Sequence, residues 1–353
     1  MTRVLVVEDS LVSRELLVHL LESDPGIQVV GVASNGEEAL DAVQRLHPDV
    51  ITMDIHMPKM DGLEATRRIM ENKPTPIVIV SGSTPHSEAA STFATMDAGA
   101  LAILPRPQGV GHPEHESSAR KLIQTVKLMA EVKVVRRWAR SRRPAQPLEK
   151  PVVPPQHGRL QIVGLGASTG GPPVLRSILA GLPKDFPLPI VMVQHMSEGF
   201  LPSFCDWLSQ SSGYPVKIAS HWERALPGHA YLAPDHHHLL VTSGGQLVLN
   251  SAPSENGMRP AVSVLFRSLA QAYGASAVAG LLTGMGRDGA VELKQLRDSG
   301  AVTFAQDQAS SIVHGMAGEA IRLDAASMVL PQEKVAQVLV RLAKAGDESR
   351  FRS

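Results

Sequence analysis

The segment Leu160–Pro172, with the sequence L-Q-I-V-G-L-G-A-S-T-G-G-P, constrains the fold of this chain more than any other stretch. Its apolar run from Leu160 to Val163 predicts a buried parallel strand, and Pro172 suits the first turn of a following helix. The glycine-rich turn between them presents one hydroxyl group, that of Ser168. Such a serine lies at the carboxyl edge of a sheet and at the amino end of a helix, where free N–H groups can stabilise an anion. An acyl-transfer nucleophile needs this environment.

More than one function is compatible with this turn. Gly164 and Gly166 could begin a dinucleotide-binding fingerprint, which also needs a glycine at position 169 and an acid after the next strand. Thr169 stands at that position, and the next predicted strand, Pro189–Gln194, is followed by His195. A histidine in place of a ribose-binding carboxylate favours nucleophile chemistry. A phosphate-binding turn and a purely structural turn remain as alternatives at this point.

Length and composition limit the classes of protein to which the chain can belong. Its 353 residues predict two or three domains. Lysine plus arginine equals aspartate plus glutamate, at 34 each, so no net charge favours nucleic acid or a membrane surface. Cys205 is the only cysteine, which excludes an intramolecular disulfide and fits a reducing compartment. No apolar run approaches the roughly 20 residues that span a bilayer. We therefore expect a cytoplasmic protein with no nucleic-acid partner and no membrane insertion.

The first 130 residues alternate short apolar runs with stretches of helical periodicity. Strands are predicted at Val4–Val7, Gln28–Val32, Val50–Met53, Ile77–Val80 and Ala100–Leu104, and helices at Leu11–Glu22, Glu37–Leu46, Leu63–Met70 and Ser87–Ala98. This alternation predicts a doubly wound α/β domain over residues 1–130. A further helix is predicted over Ser117–Trp138. Residues 131–157 are basic and proline-rich, which predicts an extended linker to a second domain at 158–345.

Three acidic residues follow predicted strands of the first domain. Glu8 and Asp9 come after the first strand, Asp54 comes after the third, and Ser81 follows the fourth. Because the carboxyl ends of parallel strands meet at one edge of a sheet, we expect these side chains to lie together. Clustered carboxylates attract a hard cation such as Mg²⁺, whereas isolated ones are simply solvated.

The segments V-V-E-D-S, I-T-M-D-I-H-M-P-K-M-D-G-L-E and I-V-I-V-S-G-S-T resemble the receiver domain of two-component response regulators. The resemblance covers about residues 1–130 and implies a flavodoxin-like fold in which Asp54 accepts a phosphoryl group from a histidine kinase. It also implies that Mg²⁺ is bound by Glu8, Asp9, Asp54 and the main-chain carbonyl of His56. Ser81 would be the hydroxyl that turns toward the phosphoryl group.

Two positions depart from the receiver pattern. Arg106 stands where receivers carry a lysine before proline, and Ile103 stands where the switch residue is usually aromatic. Arginine keeps the positive charge but presents a planar fork instead of a point charge. We therefore expect phosphorylation, with Arg106 transmitting it less faithfully than a lysine.

The pattern of strands and helices resumes after the linker. Ser168, His195 and Asp288 all follow predicted parallel strands, so they are expected at one edge of a second, Rossmann-like and mostly parallel sheet that also carries a β-hairpin at Gly244 and Gly245. Nucleophile, general base and orienting carboxylate could converge there. Taken singly, His195 could be a structural residue and Asp288 a helix cap.

The segments G-A-S-T-G-G-P, Q-H-M-S-E-G-F, L-T-G-M-G-R-D-G-A and A-Q-D-Q-A-S-S-I-V-H-G-M-A resemble the catalytic domain of the chemotaxis protein-glutamate methylesterases, the CheB family, over roughly residues 158–345. The resemblance implies hydrolysis of glutamate γ-methyl esters on the cytoplasmic helices of chemoreceptors, and deamidation of receptor glutamines. Ser168 would attack, His195 would act as the base and Asp288 would hold the imidazole. Main-chain N–H groups near Thr169 and Met285 would form the oxyanion hole.

The family resemblance carries further expectations about regulation and cofactors. The phosphodonor would be a histidine kinase of the CheA type, and the esterase itself would need no cofactor. The unphosphorylated receiver would cover the Ser168 edge until phosphorylation of Asp54 loosens it. A catalytically silent scaffold and a nicotinamide-dependent oxidoreductase remain as rival functions. Three adjacent histidines, His236 to His238, do not predict a metal site, because neighbouring residues of a strand point to opposite faces.

Overall fold

A computed structural model describes residues 1–82, 89–132, 134 and 160–348 of the chain. The chain divides into two compact units, residues 1–146 and 147–353. Each unit is a parallel β-sheet covered by helices, so the predicted fold class of two α/β domains is confirmed. Among the described residues, no helix is both long enough and apolar enough to cross a lipid bilayer.

The first unit has a five-stranded sheet in its described part, with the strand order β2-β1-β3-β4-β5. Its strands are β1 (Thr2–Val7), β2 (Ile27–Ala33), β3 (Val50–Met53), β4 (Ile77–Ser81) and β5 (Ala102–Pro105). Its helices are α1 (Leu11–Glu22), α2 (Gly36–Leu46), α3 (Gly62–Asn72), α4 (Ala89–Ala98) and α5 (His115–Ala130). All neighbouring strands run parallel, in the order typical of flavodoxin-like folds.

Local sequence explains how these elements begin and how the sheet is buried. Every residue of β3 and β4 is buried, as expected of central parallel strands covered by helices on both faces. The side chains of Asn35 and Asp61 accept hydrogen bonds from the main-chain N–H groups of Glu38 and Glu64, and so start α2 and α3. The carboxyl ends of β1 and β3 therefore lie side by side on a rigid scaffold.

The prediction of a helix over Ser117–Trp138 is wrong at both ends. Helix α5 begins at His115 and ends at Ala130, where Glu131 closes it in a right-handed conformation. Its buried residues, Leu122, Val126 and Met129, lie within these bounds. Trp138, the predicted end of the helix, lies outside the described residues. Nearly all of the predicted linker at 131–157 lies outside the described residues.

The second unit has a seven-stranded parallel sheet in its described part, with the order β14-β13-β12-β6-β7-β9-β8. Its strands are β6 (Ile162–Ala167), β7 (Ile190–Gln194), β8 (Val216–Ile218), β9 (Ala230–Leu232), β10 (His238–Val241), β11 (Leu247–Asn250), β12 (Ala277–Leu281), β13 (Val302–Gln306) and β14 (Met328–Leu330). Its helices are α6 (Gly171–Ala180), α7 (Leu201–Ser212), α8 (Val262–Ala272), α9 (Ala290–Asp298), α10 (Met316–Arg322) and α11 (Gln332–Glu348). Strands β10 and β11 form the predicted hairpin as a separate antiparallel sheet.

Strand β6 corrects the interpretation of the glycine-rich segment. The prediction ends the strand at Val163, but β6 continues to Ala167, so Gly164 and Gly166 are strand residues and not part of the turn. A Cβ atom on Gly164 would come within 2.4 Å of Leu269, and one on Gly166 within 2.5 Å of Val262. These glycines therefore let α8 pack closely on the sheet. This packing accounts for the two glycines without a bound dinucleotide.

Candidate active site and phosphoacceptor site

Sheet register brings three loops of the second unit to one edge. Ala167 and Gln194, the last residues of β6 and β7, are paired, and Gly166 pairs with Leu281 at the end of β12. The loops that carry Ser168, His195 and Asp288 therefore leave the sheet side by side. Main-chain hydrogen bonds continue this alignment into the loops, from His195 N to Ala167 O (2.9 Å) and from Ser168 N to Thr283 O (3.0 Å).

His195 and Asp288 form a close pair at this edge. Nε2 of His195 lies 3.0 Å from Oδ2 of Asp288, and both side chains are more than nine-tenths buried. The geometry is within ion-pair distance but is not that of a well-directed hydrogen bond, and Nδ1 of the same ring has no protein partner in the described fold. Ser168, 9% exposed, is consequently not hydrogen-bonded to the imidazole. Catalytic hydrogen bonds are often long in a substrate-free enzyme and shorten on binding.

Asp288 is held as an anion inside the protein. Burial by itself raises the pKa of this carboxyl group, but contacts with His195, with the Ser263 hydroxyl and with the Val262 main-chain N–H outweigh burial and lower the pKa to about 2. Asp288 is therefore ionised at neutral pH and can stabilise a protonated His195. The alternative role of Asp288, as a cap for the helix that follows it, is not supported: α9 has Gly289 at its N-cap position and no side-chain cap.

The main chain beside Ser168 offers candidate oxyanion donors. The N–H groups of Ser168 and Gly171 donate to Thr283 O and Ser168 O, whereas no acceptor in the described fold pairs with the N–H of Thr169 or of Met285. The Thr283 hydroxyl donates to Thr169 O (2.9 Å) and accepts from the N–H of Val313 (2.9 Å), and so ties these loops together.

Gly284 sets how closely the loop after β12 approaches the serine. A Cβ atom at this position would lie 2.7 Å from the Cβ of Ser168 and 2.6 Å from the sulfur of Met316. Only glycine fits there. The loop that carries Met285 can thus pass close to Ser168.

Gln194 connects the serine loop to the histidine loop, a role that sequence reasoning missed. Its side-chain amide donates to Ser168 O (2.9 Å) and to His195 O (2.8 Å), and the residue is 5% exposed. The three adjacent histidines contact three different partners: His236 pairs with Glu198, His237 with the Asp235 carbonyl and His238 with the Pro253 carbonyl.

The predicted acidic cluster forms in the first unit. Side-chain oxygens of Glu8, Asp9 and Asp54 all lie within 4.8 Å of one another, with Glu8 and Asp54 buried and Asp9 exposed. Gly62 packs so closely against the main chain of Asp54 that a Cβ atom on this glycine would lie 2.0 Å from the Asp54 carbonyl oxygen. Three clustered carboxylates supply the oxygen ligands that Mg²⁺ prefers.

Arg106 reaches into the same cluster. Its Nη2 lies 2.9 Å from Glu8 Oε2 and 3.5 Å from Asp54 Oδ2, so one guanidinium faces two of the carboxylates. Burial and the charge of Asp54 raise the pKa of Glu8 to about 7, although Arg106 opposes the shift, and burial also raises the pKa of Asp54. The raised pKa values mean that ionising all three carboxyl groups beside a single guanidinium is unfavourable, and a bound cation would offset that cost.

The remaining predicted site residues of the first unit are Ser81 and His56. Ser81 ends β4 and is buried, its hydroxyl donates to Gly82 O (3.3 Å), and its carbonyl accepts from the N–H of Arg106 (2.7 Å). The side chain of His56 is exposed two residues after Asp54. The structure thus brings Glu8, Asp9, Asp54 and Arg106 together, with Ser81 on the adjacent strand.

Comparisons with known proteins agree with both units. The family model of the CheB methylesterase matches residues 163–339, and that of the response regulator receiver domain matches residues 4–112. A protein-glutamate methylesterase/protein-glutamine glutaminase of Nitrosospira multiformis is 58% identical, covering 99% of each chain. One of Geobacter metallireducens is 56% identical over 97% of this chain and 99% of its own.

A solved structure resembles the second unit. The crystal structure of the CheB methylesterase catalytic domain of Thermotoga maritima aligns with a TM-score of 0.50 and 37% identity, covering 52% of this chain and 98% of that one. Both domains, in this order, are thus accounted for along almost the whole sequence. The chain belongs to the CheB methylesterase family, with a response regulator receiver domain preceding the methylesterase domain.

Proposed function

We propose that this protein hydrolyses γ-methyl esters of glutamate on the cytoplasmic helices of chemoreceptors and releases methanol. The single observation that carries the proposal is the buried His195–Asp288 pair at the sheet edge from which Ser168 emerges. Family membership and the names of the full-length relatives support the same reaction. We place the reaction in the cytoplasm, where a single buried cysteine stays reduced.

The first half of the reaction is acyl transfer to the serine. Oγ of Ser168 attacks the ester carbonyl carbon while Nδ1 of His195, the ring nitrogen that does not face Asp288, takes the hydroxyl proton. The C–O bond to serine forms, and the carbonyl electron pair moves to oxygen. When this tetrahedral intermediate collapses, the bond to the methoxy oxygen breaks, and the imidazolium returns the proton so that methanol leaves.

The second half restores the enzyme. Water attacks the acyl-serine carbonyl carbon while His195 takes a proton from the water. The bond to Ser168 then breaks, the imidazolium returns the proton to Oγ of Ser168, and the glutamate carboxylic acid is released. Asp288 remains ionised throughout, because its contacts hold its pKa at about 2, and it stabilises the imidazolium in both halves. The main-chain N–H groups of Thr169 and Met285 would bind the oxyanion.

The same site accounts for deamidation of glutamine. A primary amide has the geometry of the methyl ester at the carbonyl carbon, and ammonia replaces methanol as the leaving group. The transfer of the proton from His195 to the leaving nitrogen is then the decisive step, because an amide nitrogen leaves only when it is protonated. We propose this as a second reaction of the same three residues.

We further propose that the receiver unit regulates the hydrolase through phosphorylation of Asp54 by a histidine kinase of the CheA type. Mg²⁺ held by Glu8, Asp9, Asp54 and the His56 carbonyl would neutralise the charge that develops on the transferred phosphoryl group. The Asp54 carboxylate would be the acceptor, and Ser81 and Arg106 would contact the phosphorylated product; Nη2 of Arg106, 3.5 Å from Oδ2 of Asp54, supports its part of this proposal. The clustering of the three carboxylates supports this assignment.

The test is methanol release from methylated receptor membranes by the wild type and by Ser168→Ala. We expect the variant to lose at least 10³-fold in rate, since the covalent route is closed. Ser177→Ala, the same substitution on α6 just beyond the serine loop, is the matched control and should retain activity. Undiminished release by Ser168→Ala would refute the nucleophile assignment, and no release by the wild type would support a catalytically silent scaffold.

A further inference from the structure

The start of helix α8 lies against Asp288, far from it in sequence. Ala261, at the N-cap position, provides no side-chain cap, and the first N–H groups of the helix are instead satisfied by the Asp288 carboxylate. The N–H of Val262 donates to Oδ2 (2.7 Å) and the N–H of Ser263 donates to Oδ1 (3.1 Å). The positive end of the helix dipole thus faces this carboxylate.

Ser263 adds a second contact through its side chain. Its hydroxyl donates to Oδ1 of Asp288 at 2.6 Å and accepts from the N–H of Gly289 at 3.0 Å. The residue is 1% exposed, so this hydroxyl lies inside the protein. Ser263 therefore links both the carboxylate and the main chain next to it to the start of α8.

Asn256 completes the set from a tight turn. Glu255 and Met258 exchange main-chain hydrogen bonds around Asn256 and Gly257, whose φ values of 54° and 76° are those of a type I′ turn. The Asn256 amide donates to Oδ1 of Asp288 and to the Ser263 hydroxyl, both at 3.2 Å. An ion pair between Glu255 and Arg267 of α8 anchors the turn.

These contacts divide the two carboxylate oxygens. Oδ1 receives the Ser263 hydroxyl, the Ser263 N–H and the Asn256 amide, whereas Oδ2 receives the Val262 N–H and faces Nε2 of His195. With this arrangement the carboxylate cannot rotate without breaking several hydrogen bonds at once. One oxygen is left for the imidazole.

We propose that Ser263 and Asn256 are positioning residues that fix the rotation of the Asp288 carboxylate so that Oδ2 faces His195. This inference rests on the proposed function, because it concerns the orientation of the general base. Each residue donates a hydrogen bond to the carboxylate of Asp288 and acts through it. Their effect is to hold the imidazole so that its other nitrogen, Nδ1, points toward the serine loop.

The kinetic consequence separates this role from substrate binding. Removing the Ser263 hydroxyl leaves Asp288 charged and still bonded to two main-chain N–H groups and to the Asn256 amide, but it takes away the shortest contact to Oδ1. The carboxylate, and with it the imidazole, is then oriented less firmly. We expect Ser263→Ala to lower kcat roughly tenfold, about the effect of one hydrogen bond to a charged group, with KM unchanged. Ser263→Thr, which keeps the hydroxyl, should restore most of the rate.

The experiment measures methanol release by the full-length protein as Ser263→Ala, Ser263→Thr, Asp288→Ala and the double variant Ser263→Ala/Asp288→Ala. The control is Ser268→Ala, which removes another buried hydroxyl of α8, one that donates to Leu265 O and accepts from Val241 N, away from Asp288. We expect Ser263→Ala to have no effect once Asp288 is absent, because the serine acts through that carboxylate. Asn256→Gly, which keeps the turn and loses the amide, is a second test should Ser263→Ala fail to fold.

The outcomes distinguish this inference from the proposed function. If Asp288→Ala retains full activity, the triad itself is wrong. If Asp288→Ala is impaired but Ser263→Ala and Asn256→Gly keep the wild-type kcat, only the positioning role is overturned. An equal loss from Ser263→Ala with and without Asp288, or an equal loss in Ser268→Ala, would show a merely structural contribution and would also overturn it.

Discussion

At the scale of single residues, Arg106 sets the charge of the proposed phosphoacceptor site. Its guanidinium faces Glu8 and Asp54 simultaneously, and its side chain is one-third exposed. A lysine ammonium at this position would act as a compact point charge, whereas the planar fork of arginine can pair with two carboxylates. Arg106 is therefore an internal cation placed among the carboxylates that would bind Mg²⁺, and the two positive charges oppose each other there.

Removing this charge should strengthen metal binding. We expect Arg106→Met to bind Mg²⁺ about three- to tenfold more tightly than the wild type, the effect of roughly 1 kcal/mol of charge repulsion at a partly exposed site. Isothermal titration calorimetry without phosphodonor measures this Mg²⁺ affinity directly.

The Mg²⁺ affinity should also depend on pH. Because the pKa of Glu8 is raised to about 7, protons compete with the metal below that value, and the affinity should increase from pH 6 to pH 8.

Arg45→Met is the control for that measurement. It removes the same charge from the exposed surface of α2 and should leave Mg²⁺ affinity unchanged. Equal affinities in wild type and Arg106→Met would mean that Arg106 swings away from the carboxylates without cost when the metal enters. The prediction that Arg106→Met binds Mg²⁺ more tightly would then be wrong.

At the scale of elements, the packing of α8 on β6 links stability to the active site. Gly166 lies where a Cβ atom would meet Val262 at 2.5 Å and Leu281 at 3.0 Å. Val262 is the first residue of α8, and its N–H donates to Asp288. The close approach of strand and helix thus sets the position of the orienting carboxylate.

Gly166→Ala should therefore reduce both stability and activity. Overpacking of this kind costs roughly 1–3 kcal/mol, so we expect a lower transition temperature for the second unit by calorimetry and a lower kcat. Gly244→Ala is the matched control, because its nearest non-adjacent atom lies 3.8 Å from the added Cβ and its φ is not positive. If both variants have the wild-type transition temperature, α8 is free to move away from β6.

Periodicity predicted the elements well where each is long and amphipathic or short and apolar. It located the carboxyl ends of β1, β3 and β7, and hence the side chains that follow those strands. The prediction ended β6 too early, because a glycine within a strand is easily taken as part of a turn. Only the helix that packs on the strand shows why glycine is needed there. The prediction also placed no helix at Met316–Arg322 and no strand at Met328–Leu330, each short and of mixed burial.

The partners of Asp288 had no comparable signal in the sequence. Asn256 and Ser263 lie 32 and 25 residues before Asp288, in a turn and at a helix start that follow no strand of the sheet. Nothing in their spacing indicates that they meet a carboxylate. Strand ends are predictable because parallel topology forces them to one edge, whereas contacts between helix starts and loops depend on packing in three dimensions.

At the scale of the whole molecule, the chain joins a receiver domain with an acidic cluster to a methylesterase domain, in separate compact units. If phosphorylation of Asp54 shifts the protein between two states, its effect on hydrolysis is limited by the free energy with which it favours one state over the other. Such free energies typically correspond to a 5- to 150-fold change in a binding equilibrium. The covalent connection makes this regulation independent of protein concentration.

Acetyl phosphate with Mg²⁺ should therefore increase methanol release by the full-length protein, by roughly tenfold, and should have no effect on Asp54→Asn.

A fragment of residues 160–353 is expected to fold, because the isolated catalytic domain of the Thermotoga maritima relative has been crystallised. If the receiver restrains the hydrolase, the fragment is as active as the phosphorylated full-length protein. If the receiver instead activates it, the fragment is as slow as the unphosphorylated protein. Equal rates in all forms would mean that phosphorylation of Asp54 does not regulate hydrolysis by Ser168.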